Sequence, residues 1–537
     1  MHNITLTQVL IAAGVLILLM YLLFGPQTAS VILGRLIAGL VVGVFRLIAG
    51  IFRLLLVIIP AMIRRGDIAA LWPGSDTPVL GPEDSGHPVT RKGDFLDYRG
   101  LATQREISKL THGEVPTGRF ISPQGHPGRE ISLPMKYLKQ GCLVVGPTGS
   151  GKSENIILPW IISLLGQQAS VVTVDVKGNL YDQLQPKLRE MNVNLWYWNC
   201  ADQRSQSWNW LINLKEERDI EAAVQSILGR KNPHDMQPFF YERDYRWLRA
   251  MIQVVRAAKN DSVTPQQLYR LLGNREAITE YFTLYPQVRQ YENEIADLMQ
   301  CSTDEYSKAV SGLLNALHLF NSPEVTRVSQ RSDILLDDIG ARPTLLLIGA
   351  SLADAHRSAV LSSIMLSQLF NVVYRRFDND NSDRTRRPIY FLIDEAARLR
   401  DRIDFDQVMS VIRSADAGMV LAAQDVTQFG TEQERSAILT NCLTKIIFRG
   451  CSPDTANVFS EYLGKRNEFS VTSSDSRNPW ASIFSNITTK NEQIVTLPVL
   501  GSREIMHPPD TCGRFCALIH SSQTSGKPFL VSFPRIS

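Results

Sequence analysis

The feature that most constrains this chain is an eight-residue run, Gly146-Pro147-Thr148-Gly149-Ser150-Gly151-Lys152-Ser153. It follows an apolar stretch, Cys142 to Val145, and opens a helical pattern over 154–165. A strand, a glycine-rich loop and a helix in that order make a phosphate-binding loop. Glycine at 146, 149 and 151 lets backbone N–H groups wrap phosphate without side-chain clash. The helix N-terminus adds a dipole that favours anions. Lys152 is expected to hold the β- and γ-phosphates and Ser153 to ligate Mg²⁺, so the expected cofactors are ATP and Mg²⁺.

The rest of a nucleotide site is expected downstream. Ile389 to Ile393 is an apolar run ending in Asp394 and Glu395. At the tip of a buried strand, Asp394 would organise the metal shell and Glu395 would orient and polarise the attacking water. Gln424 ends the next apolar run, 418–423, where a polar side chain could sense the γ-phosphate. Arg413, on the preceding helix, is either an arginine finger for a neighbouring subunit or a surface arginine. Arg449, after the run 444–448, is the rival for that role.

The order of patterns gives the fold class. Apolar runs at 142–145, 170–176, 343–348, 389–393, 418–423 and 444–448 alternate with helical stretches at 355–376, 402–414 and 434–440. That alternation implies a parallel α/β sheet. The gap between 176 and 343 is far too long for a structureless loop. Its helical stretches (218–229, 240–257, 265–272, 291–300, 305–320) read as an inserted all-α subdomain. The expected division is 1–66 as a transmembrane hairpin, 67–135 as linker and run-in, 136–185 and 336–537 as the nucleotide-binding domain, and 186–335 as the insertion.

The N-terminal region is expected to meet a membrane. Residues 9–24 are uncharged and apolar, and with Ile4 to Gln8 they reach the length of a spanning helix. A second apolar stretch, Ala29 to Met62, carries Arg35, Arg46 and Arg53 on one helical stripe near a Gly39-x-x-x-Gly43 pair. It either spans with its arginines snorkelling or lies in the interface as an amphipathic helix; spanning is favoured. Arg64 and Arg65 then mark the cytoplasmic side, with both termini inside and Gly25 to Thr28 as the outer loop.

Composition narrows little else. Of 537 residues, 44% are hydrophobic and 20% charged, which excludes long disordered stretches. A net charge of +3 does not by itself point to nucleic acid. The seven scattered cysteines fit a reducing compartment. His507, Cys512, Cys516 and His520 do not match a standard zinc spacing, and a structural role is the favoured reading.

In order along the chain, these motifs resemble the type IV secretion coupling proteins, the conjugative DNA-transfer proteins of the TraG/TraD class. GCLVVGPTGSGKSENIILPWI resembles that family's phosphate loop and following helix. Asp175, Lys177 and Gly178 look like its Asp-x-Lys-Gly motif. SWNWL at 207–211 is similar to a Trp-Asn-Pro-Leu element, with Trp210 in place of proline. IYFLIDEAARL and GMVLAAQDVTQF resemble its acidic-strand and glutamine motifs, and LTNCLTKIIFRG also fits. The resemblance implies a RecA-like P-loop NTPase motor with an all-α insertion. It further implies a homo-hexamer at the bacterial inner membrane, with the motor cytoplasmic. Its partners would be relaxase–DNA complexes or effector proteins and the components of a type IV secretion channel. Two departures are noted: the outer loop is much shorter than usual, and no long acidic tail follows the motor. A double-stranded DNA pump of the chromosome-segregation type, a secretion assembly ATPase and a non-hydrolysing, nucleotide-stabilised receptor are the rival expectations.

Overall fold

The computed structural model describes residues 100–537 apart from 232–237, 260–261, 351–353, 379–386, 477–486, 510–511, 514 and 535–537, together with isolated residues 15 and 25. The expected hairpin over 1–66 therefore lies, but for those two residues, outside the described residues, as do residues 67–99 of the expected linker. No helix among the described residues is long and apolar enough to cross a membrane.

Among the described residues thirteen strands are formed, two of them in a separate ribbon. They are β1 (Val115–Ile121), β2 (Pro127–Leu133), β3 (Cys142–Val145), β4 (Ser170–Asp175), β5 (Asn194–Trp198), β6 (Thr344–Gly349), β7 (Ile389–Ile393), β8 (Ala417–Ala423), β9 (Thr444–Phe448), β10 (Lys465–Ser476), β11 (Ile487–Pro498), β12 (Cys516–Ser521) and β13 (Phe529–Ser532). β10 and β11 make the two-stranded sheet; the others form one sheet in the order β2-β1-β13-β12-β9-β3-β8-β7-β4-β6-β5. From β9 to β5 every pairing is parallel. β12, β13, β1 and β2 add an antiparallel flank. The expected parallel sheet is formed from β9 to β5, and the flank makes the whole sheet mixed. Within the flank β1 and β2, and β12 and β13, are joined by short connections, whereas β13 pairs with β1 and β12 with β9 across long stretches of chain.

The central strands are buried on both faces, as continuous Val, Ile and Leu runs require. Alternate residues go to opposite cores. Leu143 and Val145 face one, Cys142 and Val144 the other; Phe391 and Ile393 oppose Tyr390 and Leu392 in the same way. The second core is closed by α1 (Leu158–Gly166) and α2 (Leu180–Arg189), through Trp160, Ile161, Leu164, Leu184 and Leu188.

Between β5 and β6 lies a chiefly helical segment: α3 (Glu217–Leu228), α4 (Pro238–Lys259), α5 (Pro265–Leu272), α6 (Arg275–Leu284), α7 (Thr303–Leu317) and α8 (Pro323–Ser329). Its starts are marked locally. Thr264 with Gln267 and Ser302 with Glu305 form reciprocal capping boxes. The reading of all of 186–335 as α-helical is corrected at its start. Residues 194–198 form β5, the edge strand of the main sheet. Two tryptophans and a tyrosine in five residues carry strand propensity, but the run is short and only half buried at its outset.

The insertion is tied to the next long helix, α9 (Ala355–Asp378), by a buried charge cluster. Asp219, in the first turn of α3, is 0% exposed. Both its oxygens accept from Arg375 Nη1 at 3.0 Å, and Asn371 Nδ2 donates to it at 2.8 Å. Backbone N–H groups of Lys215 and Glu216 complete its shell. Arg375 also donates to Asp337 at 3.0 Å. Three further helices, α10 (Phe405–Ile412), α11 (Glu432–Asn441) and α12 (Pro453–Leu463), complete the elements that flank the sheet.

Candidate nucleotide site

The phosphate loop leaves the C-terminal end of β3, and its bend rests on two left-handed glycines. Gly149 and Gly151 have φ of 76° and 91°. A Cβ at Gly146 would stand 2.5 Å from that of Phe448, so the loop can run beneath β9 only without a side chain there. The helix after the loop begins as a π-turn, Ser153–Ile157, before α1. This refines the helix expected from residue 154. Pro159 has no N–H to return to Asn155, and its ring crowds that carbonyl, so the first turn widens.

Lys152 is 6% exposed. Its ammonium donates to the carbonyls of Gly146 and Pro147. Burial lowers its pKa, while the charges of Asp394 and Glu395 oppose that shift. Ser153 Oγ donates to Asp394 Oδ2 at 2.8 Å, across 241 residues of sequence. Asp394 is also 6% exposed, and its other oxygen accepts the Glu395 N–H at 3.0 Å. A hydroxyl and a carboxylate side by side are hard oxygen donors, suited to Mg²⁺. The buried Ser150 Oγ has no protein partner in the loop that would receive phosphate.

Glu395 departs from ordinary backbone geometry. Its φ and ψ are 52° and 41°, left-handed for a residue with a full side chain. That conformation costs about 1–2 kcal/mol. The turn it makes starts the short helix Ala396–Leu399 and places the carboxylate within reach of β8. There Gln424 Nε2 donates to Glu395 Oε1 at 3.0 Å. Lys152, Ser153, Asp394, Glu395 and Gln424 are thus gathered at the ends of three strands, β3, β7 and β8.

The two arginines part company. Arg449 follows β9 at the phosphate-loop end of the sheet, and its Nη1 donates to the Gly513 carbonyl at 3.3 Å. With Pro147, Thr148, Gly149, Ser150, Gly513 and Phe515 it lines a cavity of about 470 Å³. Arg413 is exposed in a turn before β8. β8 reaches the loop with Ala423 beside Val145, so Arg413 lies more than six residues back, roughly 20 Å at 3.3 Å per residue. The structure does not bring it into its own chain's site.

Sequence reasoning missed several participants. Gly513 and Phe515 come from a segment with no motif, brought close because β12 pairs with β9. Lys177 was visible in the Asp-x-Lys-Gly motif, but not its reach: Nζ lies 3.4 Å from Ser153 Oγ. His507, Cys512, Cys516 and His520 do not converge. Among the described residues no cluster of three or more metal-ligating side chains occurs. His520 instead packs edge-on to Tyr462 beside the buried Lys445.

A phosphate loop at the C-terminal edge of a parallel sheet, with an acidic strand tip across from its serine, defines a P-loop NTPase fold. Within that class the chain belongs to the type IV secretory system conjugative DNA transfer family, whose model matches residues 117–511. Solved structures show the same fold. The bacterial conjugative coupling protein TrwBΔN70, in its unbound monoclinic form, superposes with a TM-score of 0.61 at 15% identity, over 81% of this chain and 92% of that one. TrwB with a non-hydrolysable ATP analogue gives 0.57, and TrwB with ADP and Mg²⁺ gives 0.56; each is 15% identical and covers 81% of this chain and 93% of the other. No curated protein matches the chain in sequence.

Proposed function

We propose that this chain is a membrane-anchored ATPase that recruits a relaxase–DNA complex or an effector protein and drives it to a type IV secretion channel. The observation that carries the reading is the joined pair Ser153–Asp394 beside Lys152 and the Glu395–Gln424 contact. Support also comes from TrwB, which is described as a coupling protein and has been solved with an ATP analogue and with ADP and Mg²⁺.

In this reading the loop N–H groups and Lys152 receive the β- and γ-phosphates. Ser153 and Asp394 would hold Mg²⁺, which when bound would withdraw charge from those phosphates. Glu395 accepts a proton of the attacking water and fixes its line of approach. The Gln424 amide holds the Glu395 carboxylate and can redirect to a γ-phosphate oxygen, which would report the loaded state to β8. Arg449 serves the chain's own site from the cavity over the loop. Arg413 acts on a neighbouring subunit of a homo-hexamer. The apolar hairpin over 1–66 anchors the ring at the inner membrane with the motor on the cytoplasmic side.

The test uses the full chain. Purified protein should hydrolyse ATP in a Mg²⁺-dependent way, and Glu395→Gln should abolish both hydrolysis and conjugative transfer in cells. Transfer that survives without hydrolysis would leave a nucleotide-stabilised receptor in place of a motor. For the finger, Arg413→Ala mixed with Lys152→Ala should recover some activity at mixed interfaces. For topology, a reporter after Arg65 should read as cytoplasmic.

A further inference from the structure

The Asp-x-Lys-Gly turn after β4 has no task in the cycle just described, yet it is built with care. The Asp175 carboxylate accepts three backbone N–H groups, from Lys177 at 3.1 Å, Gly178 at 2.9 Å and Leu180 at 2.8 Å. Gly178 reverses the chain at φ +74°, with open space where a Cβ would stand. Asp175 is 4% exposed. The turn is therefore held from within, and its one long side chain is aimed at the metal-side serine. Lys177 Nζ donates to Ser153 Oγ at 3.4 Å and stands 3.7 Å from Glu154 Oε1.

The direction of these bonds matters. A serine hydroxyl has one hydrogen and two lone pairs. The Ser153 hydrogen goes to Asp394, and a lone pair goes to Lys177. A metal ion held by Ser153 needs the lone-pair side of the same oxygen. Two cations cannot share it at contact distance. The ion pair with Glu154 does not explain the arrangement, because both side chains are more than a third exposed and such pairs contribute little.

We infer that Lys177 is a cationic placeholder: its ammonium occupies the Ser153 hydroxyl while the site is empty and gives it up when a divalent metal enters with nucleotide. This rests on the reading of Ser153 and Asp394 as the Mg²⁺ side of the site. Lys177 is then a positioning residue. It keeps Ser153 and Asp394 joined and aligned, and it discourages metal from entering alone.

The experiment is Mn²⁺ binding to the full-length protein in detergent micelles, by calorimetry, without nucleotide and with ADP. Lys177→Met should bind Mn²⁺ about tenfold more tightly than the parent without nucleotide, the equivalent of one charge-assisted hydrogen bond. Lys177→Arg should keep the parent's weak binding. In Lys177→Met, chelating the metal should also weaken ADP about tenfold more than it does in the parent. Unchanged Mn²⁺ affinity in Lys177→Met, with ADP still bound, would overturn the placeholder and leave the nucleotide site standing. A parent protein that binds neither ADP nor Mn²⁺ would overturn both. Should Lys177→Met lose ADP binding, Lys177→Gln carries the same test, and its failure to gain Mn²⁺ affinity counts against the inference.

Discussion

The nucleotide site and the root of the helical insertion are both assembled from charged side chains, and they use them in opposite ways. At the insertion's root the charges are closed on one another. Asp219 accepts from four donors, Arg375 bridges two carboxylates, and Arg249 pairs with Glu217 and Glu294. At the site the partners can be exchanged. Lys152 rests on carbonyls, Ser153 on Asp394, and Gln424 on Glu395, each a contact that a phosphate or a metal could replace. Closed clusters hold parts together, whereas open ones leave room for a ligand to take a partner's place.

The contrast can be broken by substitution. The largest expected effect is on the open side. Glu395→Gln should lower the hydrolysis rate by about 10²–10⁴-fold while ADP affinity stays within about twofold. A comparable loss of ADP binding would mean that Glu395 holds the loop in shape and does not act on water. On the closed side, Arg375→Ala should leave Asp219 buried without its main partner and cost about 3–5 kcal/mol of stability, read by denaturant unfolding. Nucleotide affinity per folded molecule should not change. If Arg375→Ala instead altered ADP affinity at equal stability, the two regions would be one functional unit.

A third prediction concerns a buried group inside the main sheet. Burial, with the Lys445 charge adding to it, holds the His520 pKa down to about 4, against 6.5 for the free side chain. The unfolded chain then binds more protons than the folded one between those values. Stability should be full above pH 6.5 and fall as pH drops toward 4, by about 3 kcal/mol at most. His520→Phe, which keeps an aromatic edge against Tyr462, should flatten that part of a stability–pH profile. An unaltered slope would assign the acid sensitivity elsewhere. The smallest effect is at Gln424. Removing its amide in Gln424→Ala should lower turnover about tenfold and leave ADP affinity unchanged, since one hydrogen bond to a charged group is lost.

How much was legible in sequence follows the range of the interactions. The phosphate loop, the Asp394–Glu395 tip and Gln424 were readable because each sits at the end of an apolar run, and a parallel sheet collects such ends at one edge. The membrane expectation rests on hydropathy alone, over residues that the structure does not describe. β5 was missed because five residues rich in aromatic side chains carry no helix–strand rhythm of their own. The antiparallel pairing was not legible, because its partners, β12 with β9 and β13 with β1, are set by the fold and not by neighbours in sequence. Arg413 and Arg449 looked equivalent in the chain, since both lie beside strands. They separate only once strand direction places one at each end of the sheet.

The position of the insertion has a further consequence. The chain leaves the sheet after β5 and returns at β6, and these two are hydrogen-bonded neighbours at the sheet's border. Everything between them hangs from a margin that no catalytic strand crosses. A segment rooted this way resembles an exchangeable tool head on a fixed drive shaft. The Asp219–Arg375 clasp is the joint that fixes it to the next long helix.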